Sequence, residues 1–342
     1  MKIVYTVAGE GMGHAARAHA VIEALANNHD ITIFAGDTSY LYLKKVFPKV
    51  FPLSCLRIAY HQNTALSITT ILFNVLRFPA YLWSLTKMIK KLNKIKPDMM
   101  IDDFSMLGSY ASLLMGISML TIDNQHTISL VKDIPKKYAF DHAMSKLVVS
   151  LVVPHARKNM ITSFFPLKTR KNQILLAPLL RKEIRNLQSK KGDHLLVYQT
   201  SQTNENLIKY LKLLDIPCYV YGFHKNKREK NIFFKKEHQQ FLQDLSSAKA
   251  VIINGGFNVL TEALYLQKPI LSIPVRHQFE QVLNAIQLEK LGCGMFVEKI
   301  DEKTIPAFLE KLPEYEEKIK SLNLDYEGAF DRIKNVLASW KK

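Results

Sequence analysis

Residues 251–285, VIINGGFNVLTEALYLQKPILSIPVRHQFEQVLNA, decide how the chain is read. Ala250–Ile253 is an apolar run of strand length that leads straight into Asn254, Gly255 and Gly256. From about Phe257 onward Val259, Leu260, Ala263 and Leu264 recur at helical spacing, so strand, glycine turn and helix follow one another. Glycines let a ligand approach the backbone closely, and the free N–H groups at a helix start favour a phosphate. Asn258 and Glu262 lie four apart and share a helix face, where a carboxylate one turn beyond a phosphate suits the two adjacent hydroxyls of a ribose. A second buried strand, 269–274, is followed by the polar residues His277, Gln278, Glu280 and Gln281 and then by Asn284. Taken alone, the glycines read equally well as an ordinary tight turn; with the other elements, the order reads as phosphate, diol and sugar hydroxyls, that is, a nucleotide-diphosphate sugar.

The pattern N-G-G-F-N-x-x-x-E-A-L, then K-P-x-L-x-I-P, then E-Q-x-x-N-A resembles the donor-site signature of GT-B glycosyltransferases, the group of UDP-glycosyltransferases and the peptidoglycan GlcNAc transferase. The resemblance implies an α/β fold of two doubly wound Rossmann-like domains facing across a cleft. It also implies donor contacts from Asn254, Gly255, Gly256, Asn258, Glu262, Glu280, Gln281 and Asn284, with Thr200 and Ser201 at the diphosphate from the first loop of the second domain. Plant and animal members carry His where this chain has Asn254, so any phosphate contact there is made without charge.

The N-terminus repeats the local pattern. A buried strand (3–7) precedes Gly9-Glu10-Gly11-Met12-Gly13-His14 and a helix over 15–26. G-x-G-x-G is neither the dinucleotide fingerprint nor a P-loop, so the loop by itself is a weak nucleotide signal. The resemblance makes Gly11 and Gly13 part of an acceptor or phosphate loop and His14 the base that takes the acceptor proton, a role that imidazole chemistry suits. The alternative is a histidine that merely packs at a helix start. Arg17, one turn later, is placed to meet a phosphate or an acidic acceptor. Strand 97–103 ends in Asp102 and Asp103, and the resemblance of P-D-x-x-x-x-D makes Asp103 the partner of His14, with Asp102 the neighbour that competes for that role and a strand-end cap the alternative. Asp123, Asn124, Gln125 and His126 follow the next strand at the same edge, with no role assigned.

Strands at 31–35 and 50–53 extend the β/α alternation, and 147–153 and 161–165 read as the last strands of the first domain. Two domains are expected, 1–175 for the acceptor and 176–342 for the nucleotide sugar, joined within 170–192, with a last helix at about 325–340 that crosses back onto the first. Ile232, Phe233 and Phe234 read as a strand.

Composition narrows the partners. Of 342 residues 48% are hydrophobic and 23% charged, which is globular; the three cysteines fit no disulfide framework or metal spacing. Met1 leads directly into a strand, which implies a cytoplasmic location with no signal peptide. The net charge of +17 admits nucleic acid, an anionic membrane or an anionic substrate, and no nucleic-acid motif accompanies it. Segment 66–86 is apolar apart from Asn74, Arg77 and Pro79, and lysines 87, 90, 91, 94 and 96 follow it. This suits a helix pair lying on an anionic leaflet better than a membrane span, the alternative being a pair buried in the core. The expected protein is therefore an inverting, metal-independent transferase, using a UDP-sugar donor and a lipid-linked or glycolipid acceptor on the inner face of the plasma membrane. No cofactor is expected, since backbone N–H groups and the helix dipole replace a metal at the leaving diphosphate. A nucleotide-sugar 2-epimerase and a non-catalytic nucleotide-sugar or nucleic-acid binder are the rivals.

Overall fold

The computed structural model describes residues 1–61, 64–65, 67–199, 205–236 and 238–340. The chain divides into two compact units: Met1–Ala59, Leu66–Arg181 and Leu324–Lys342 form the first, Tyr60–Ala65 and Lys182–Asn323 the second.

In the first unit, strands β1 (Lys2–Val7), β2 (Asp30–Gly36) and β3 (Val50–Leu53) precede a short hairpin, β4 (Tyr60–His61) and β5 (Thr64–Ala65), which groups with the second unit. β6 (Met99–Asp103), β7 (Met119–Asp123), β8 (Lys158–Thr162) and β9 (Gln173–Leu176) complete a parallel sheet of order β3-β2-β1-β6-β7-β8-β9. Alternation along each strand assigns the two faces. Ile3, Tyr5, Val7, Met99 and Ile101 join one core with helices Gly11–Leu25 and Tyr326–Ala338, whereas Val4, Met100 and Met119 join another with Phe78–Ile95 and Met106–Met115. Buried on both sides, the central strands β1, β6 and β7 have nearly every residue buried, with their polar residues Thr6, Asp102, Asp103, Thr121 and Asp123 at or near the carboxyl ends.

The second unit repeats the plan. β10 (Leu195–Tyr198), β11 (Cys218–Tyr221), β12 (Lys227–Glu229), β13 (Ile232–Phe234), β14 (Ala250–Ile253), β15 (Ile270–Ser272) and β16 (Gly294–Phe296) take the order β12-β13-β11-β10-β14-β15-β16, parallel except for edge strand β12.

Two sequence expectations need correction. Residues 147–153 are not a strand; they belong to helix Ala139–Val152, whose outward Leu147, Val148 and Leu151 are 48%, 46% and 55% exposed. An apolar run of that length does not by itself separate strand from helix. The boundary at 175/176 would cut through β9, and the contact division falls instead after Arg181. The last helix packs Phe330, Ile333 and Leu337 into the core of the first unit.

Candidate functional site

In both sheets the strand order reverses once, between β1 and β6 in the first unit and between β10 and β14 in the second. Open α/β sheets bind ligands beyond the carboxyl ends of strands at such points. Val7 pairs with Asp103 and Tyr198 with Ile253, so each reversal brings two loops side by side.

At the first reversal the sequence places charge. The loop after β1 feeds helix Gly11–Leu25, whose start carries no side-chain cap. His14 Nδ1 lies 2.6 Å from Asp103 Oδ1, with the carboxylate fully buried and the imidazole 13% exposed. Strand alternation explains why Asp103 and not Asp102 is the partner: Asp103 shares the face of Met99 and Ile101, which this helix covers, while Asp102 points the other way. Asp102 accepts from Thr6 Oγ1 and from Ser105 N–H, and burial holds its carboxyl well above the usual range despite those bonds. Phe104, forced to φ +54, stacks nearly parallel to His14, an unfavourable backbone for a bulky residue that the surrounding structure must enforce.

Arg17, expected at a phosphate or an acidic acceptor, is turned into the protein onto Asp103 and Asn124. It is 2% exposed, and its Nε and Nη2 donate to the two oxygens of Asp103 at 2.8 and 2.6 Å while Nη1 donates to Asn124 Oδ1 at 2.7 Å. Burial disfavours the guanidinium charge, but Asp103 outweighs it and raises the Arg17 pKa above its ordinary value. Such a buried pair resists removal of either partner. Asp103 is thereby anchored on one side and presents Oδ1 to His14 on the other. A proton on Nδ1 shared with Asp103 leaves Nε2 as the basic nitrogen, the arrangement a general base needs.

Next to it, His126 Nδ1 lies 2.7 and 2.8 Å from the oxygens of the buried Asp123. Burial works against the imidazolium, yet the Asp123 charge raises the His126 pKa overall; Asp123, disfavoured by burial, is in turn held below the ordinary carboxylate value by His126 and Arg17.

The second reversal is uncharged at its centre. Asn254 Nδ2 donates to Gln199 Oε1 at 2.8 Å and to Ile273 O at 3.0 Å. Both amide hydrogens are thus engaged within the protein, which corrects the expectation that Asn254 donates to a phosphate. Gln281 and Asn284 are also scaffold: Gln281 Oε1 accepts from Val275 N–H at 2.9 Å and Asn284 Nδ2 donates to Gly255 O at 3.0 Å, with both residues buried. Both help to hold the turn. The two glycines differ. Gly255 sits at φ +88, and a Cβ there would lie 2.8 Å from Gln281 O and from Ser272 Oγ; at Gly256 a Cβ would meet nothing within 4 Å. Gly256 caps helix Phe257–Tyr265, whose N-terminus has no side-chain cap, so its first N–H groups are left without a capping side chain beside that open space.

Glu262 is 4% exposed on this helix, one turn beyond the partly buried Asn258, and its charge adds to burial in raising the Tyr198 pKa. Glu280 lies in the first turn of helix Phe279–Lys290 and is partly exposed. Thr200 and Ser201 lie outside the described residues. Gln199 and Ser272 escaped the sequence reading, although the pairing of Tyr198 with Ile253 puts Gln199 opposite Asn254; Gln199 Nε2 and Ser272 Oγ are buried without a hydrogen-bond partner among the described residues. Among the described residues no three His, Cys, Asp or Glu side chains gather around a common point.

Comparison with known proteins agrees with this architecture. Residues 1–313 match the family model described as Glycosyl transferase family 1. An uncharacterized glycosyltransferase of Methanosarcina acetivorans is 26% identical over 337 residues, covering 86% of this chain and 85% of that protein. A UDP-N-acetylglucosamine–N-acetylmuramyl-(pentapeptide) pyrophosphoryl-undecaprenol N-acetylglucosamine transferase of Geobacillus thermodenitrificans is 28% identical over 126 residues, 33% of this chain and 35% of that one. Among solved structures, Phytolacca americana UGT2, complexed with UDP-2-fluoro-glucose and pterostilbene, superposes with TM-score 0.70 at 13% identity, covering 99% of both chains. Acinetobacter baumannii MurG does so with TM-score 0.63 at 15% identity over 99% of both. The chain belongs to glycosyl transferase family 1 and is a glycosyltransferase of the GT-B fold.

Proposed function

We propose that the enzyme transfers a sugar from a nucleotide-diphosphate sugar, UDP-linked, to a hydroxyl acceptor, with inversion at the anomeric carbon and without a metal. The observation that carries this reading is the 2.6 Å contact of His14 Nδ1 with a buried carboxylate that Arg17 also anchors. His14 Nε2 takes the proton of the acceptor hydroxyl as its oxygen attacks the anomeric carbon from the face opposite the leaving group. The C–O bond to the diphosphate breaks as the new one forms, and the departing charge is received at the open N-terminus of helix Phe257–Tyr265 beside Gly256. Glu262 takes the ribose hydroxyls, and Glu280 the sugar. UDP is favoured because the Geobacillus thermodenitrificans relative is named for a UDP-sugar and Phytolacca americana UGT2 is complexed with one.

For the acceptor we propose a lipid-linked or glycolipid molecule, reached at an anionic membrane surface. No helix among the described residues is long and apolar enough to cross a membrane. Helices Ser67–Leu76 and Phe78–Ile95 instead expose Leu72, Val75, Leu76, Phe78 and Trp83 at 57–72%. Helix Ala139–Val152, on the same side of the sheet, adds Phe140 at 75% exposure. Large apolar side chains exposed in such number suit a contact with another phase or molecule. A peripheral place on the inner face of the plasma membrane is the corresponding localisation.

The test of the donor is thermal unfolding with UDP, TDP, GDP and their sugars, with and without Mg²⁺. One nucleotide should raise the midpoint without metal, by about 2.7 kcal/mol of stabilisation at a hundredfold excess over Kd, and Glu262→Ala should remove the shift. Absence of a shift with all of them would refute the donor assignment. Turnover of the donor without any acceptor would point to an epimerase instead. Sedimentation with phosphatidylglycerol vesicles tests the surface.

A further inference from the structure

A cavity of about 600 Å³ opens in the first unit between helix Asp37–Leu43, strand β3 and helix Phe78–Ile95. Phe34, Phe51, Leu53 and Met88 make its apolar lining, and Arg77, Lys87 and Lys91 stand among its lining residues. These three cations lack an ion pair, although Arg77 is a hydrogen-bond partner of the Tyr81 side chain and is attracted by the Asp37 charge. Lys87 Nζ lies 3.4 Å from the Trp83 ring centre and Lys91 Nζ 3.2 Å from that of Phe51, while Arg77 stands over Phe73 and its Nε is buried without a hydrogen-bond partner. Among the described residues none of the three has a carboxylate within ion-pair distance. The one acid lining the cavity, Asp37, is already held by Arg57 Nε at 2.6 Å and by the Cys55 thiol.

An apolar cavity lined by three cations without an ion pair suits one class of ligand: the chain satisfies the lining and the head pairs with the cations. We propose that this cavity binds a single-chain amphiphile with an anionic head, the hydrocarbon lying on Phe34, Phe51, Leu53 and Met88 and the head between Arg77, Lys87 and Lys91. An aromatic face attracts a cation less than a desolvated anion does, so the lysines turn from their rings to the head on binding. The cavity joins the neighbourhood of the catalytic loop. Thr38 N–H donates to Gly9 O at 3.2 Å and Ser39 Oγ to Ala8 O at 2.6 Å, which ties the cavity's helix Asp37–Leu43 to the loop that leads into the helix carrying His14. The site stands on the first unit alone; its use as the anchor of the acceptor rests on the transferase reading above.

The protein has two tryptophans, Trp83 and Trp340, so Trp340→Phe leaves Trp83 as the sole indole reporter. Titration of that variant with submicellar decyl phosphate should shift Trp83 emission saturably. 1-Decanol, inorganic phosphate and decyltrimethylammonium should each bind at least about tenfold more weakly. Arg77→Gln combined with Lys91→Gln should weaken decyl phosphate by at least about tenfold with an unchanged unfolding midpoint. No saturable response to decyl phosphate, or decanol binding as tightly, would overturn the proposal without the double variant being needed; unchanged affinity in that variant would overturn it as well. Two sources share this chemistry. If protein bound to phosphatidylglycerol vesicles no longer takes decyl phosphate, the bilayer headgroup is the ligand; if it still does, the ligand is a separate amphiphile such as the acceptor. Either result sustains the site. None of these titrations uses the nucleotide, so a failed donor assignment and a failed cavity assignment are told apart.

Discussion

The two strand-order reversals are the same backbone device filled with opposite chemistry. In the first, a fully buried carboxylate is gripped by a buried guanidinium and offered to a histidine. In the second, amide side chains bind one another and the backbone, so that Gly256 and a bare helix start are left open. Buried charge fixes a proton's position but is stable only when every partner is present; amide scaffolding tolerates loss better and leaves backbone N–H groups as the reactive surface. The first suits moving a proton, the second suits receiving an anion.

This contrast is tested most severely by His14→Ala. We expect turnover to fall by about 10²–10⁴-fold while the UDP-induced rise in unfolding midpoint stays as in the parent; an equal loss of UDP binding would break the division of labour. Asp103→Ala strands Arg17 as a buried unpaired charge and should cost about 3–5 kcal/mol in denaturant unfolding. Asn254→Ala, in the amide network, should cost about 1–3 kcal/mol. Reversal of that order would show that the first site is not held by its ion pair.

The glycines sharpen the second half. Gly255→Ala forces a side chain into φ +88 against Gln281 O and should lose about 1–3 kcal/mol of stability. Gly256→Ala, with open space around it, should melt like the parent yet bind UDP about tenfold more weakly, by calorimetry. If both variants bind UDP normally, the helix start is not the diphosphate site.

The smallest effect concerns pH. The His126 pKa is raised above 6.5 in the fold, so the stabilisation it contributes is fully present below 6.5 and is lost as pH rises through the folded value. His126→Asn should therefore lower stability by about 1 kcal/mol at about pH 5.5 and by little at about pH 9. A penalty that grew with pH would contradict the Asp123–His126 pairing. UDP binding in the second unit should not share this dependence.

Much of the frame was legible because local rules suffice for it. The strand into Asn254-Gly255-Gly256, the helix from Phe257 and the helix pair that starts at Ser67 are fixed by apolar periodicity and by glycine and proline positions within a few residues. The helix Ala139–Val152 was not legible, since Leu147–Val152 is apolar apart from Ser150 and only packing against Met106–Met115 decides which residues face out. Side-chain roles were legible in type more than in direction. Asn254, Gln281 and Asn284 stand in the signature, yet the structure turns them inward to hold the loop.

By itself the sequence determined that two β/α sheets form, where each carries a glycine turn, and that a histidine and an aspartate stand at the ends of β1 and β6. Those features depend on neighbours within a few residues or on a period of two. Tertiary packing settles that Asp103 rather than Asp102 meets His14, that Arg17 is spent on Asp103, and that Arg77, Lys87 and Lys91 line one largely apolar cavity whose single acid, Asp37, is held by Arg57. Each of these turns on which groups from distant segments are buried together, and the cost of burying a charge is set by those partners, not by its place in the chain.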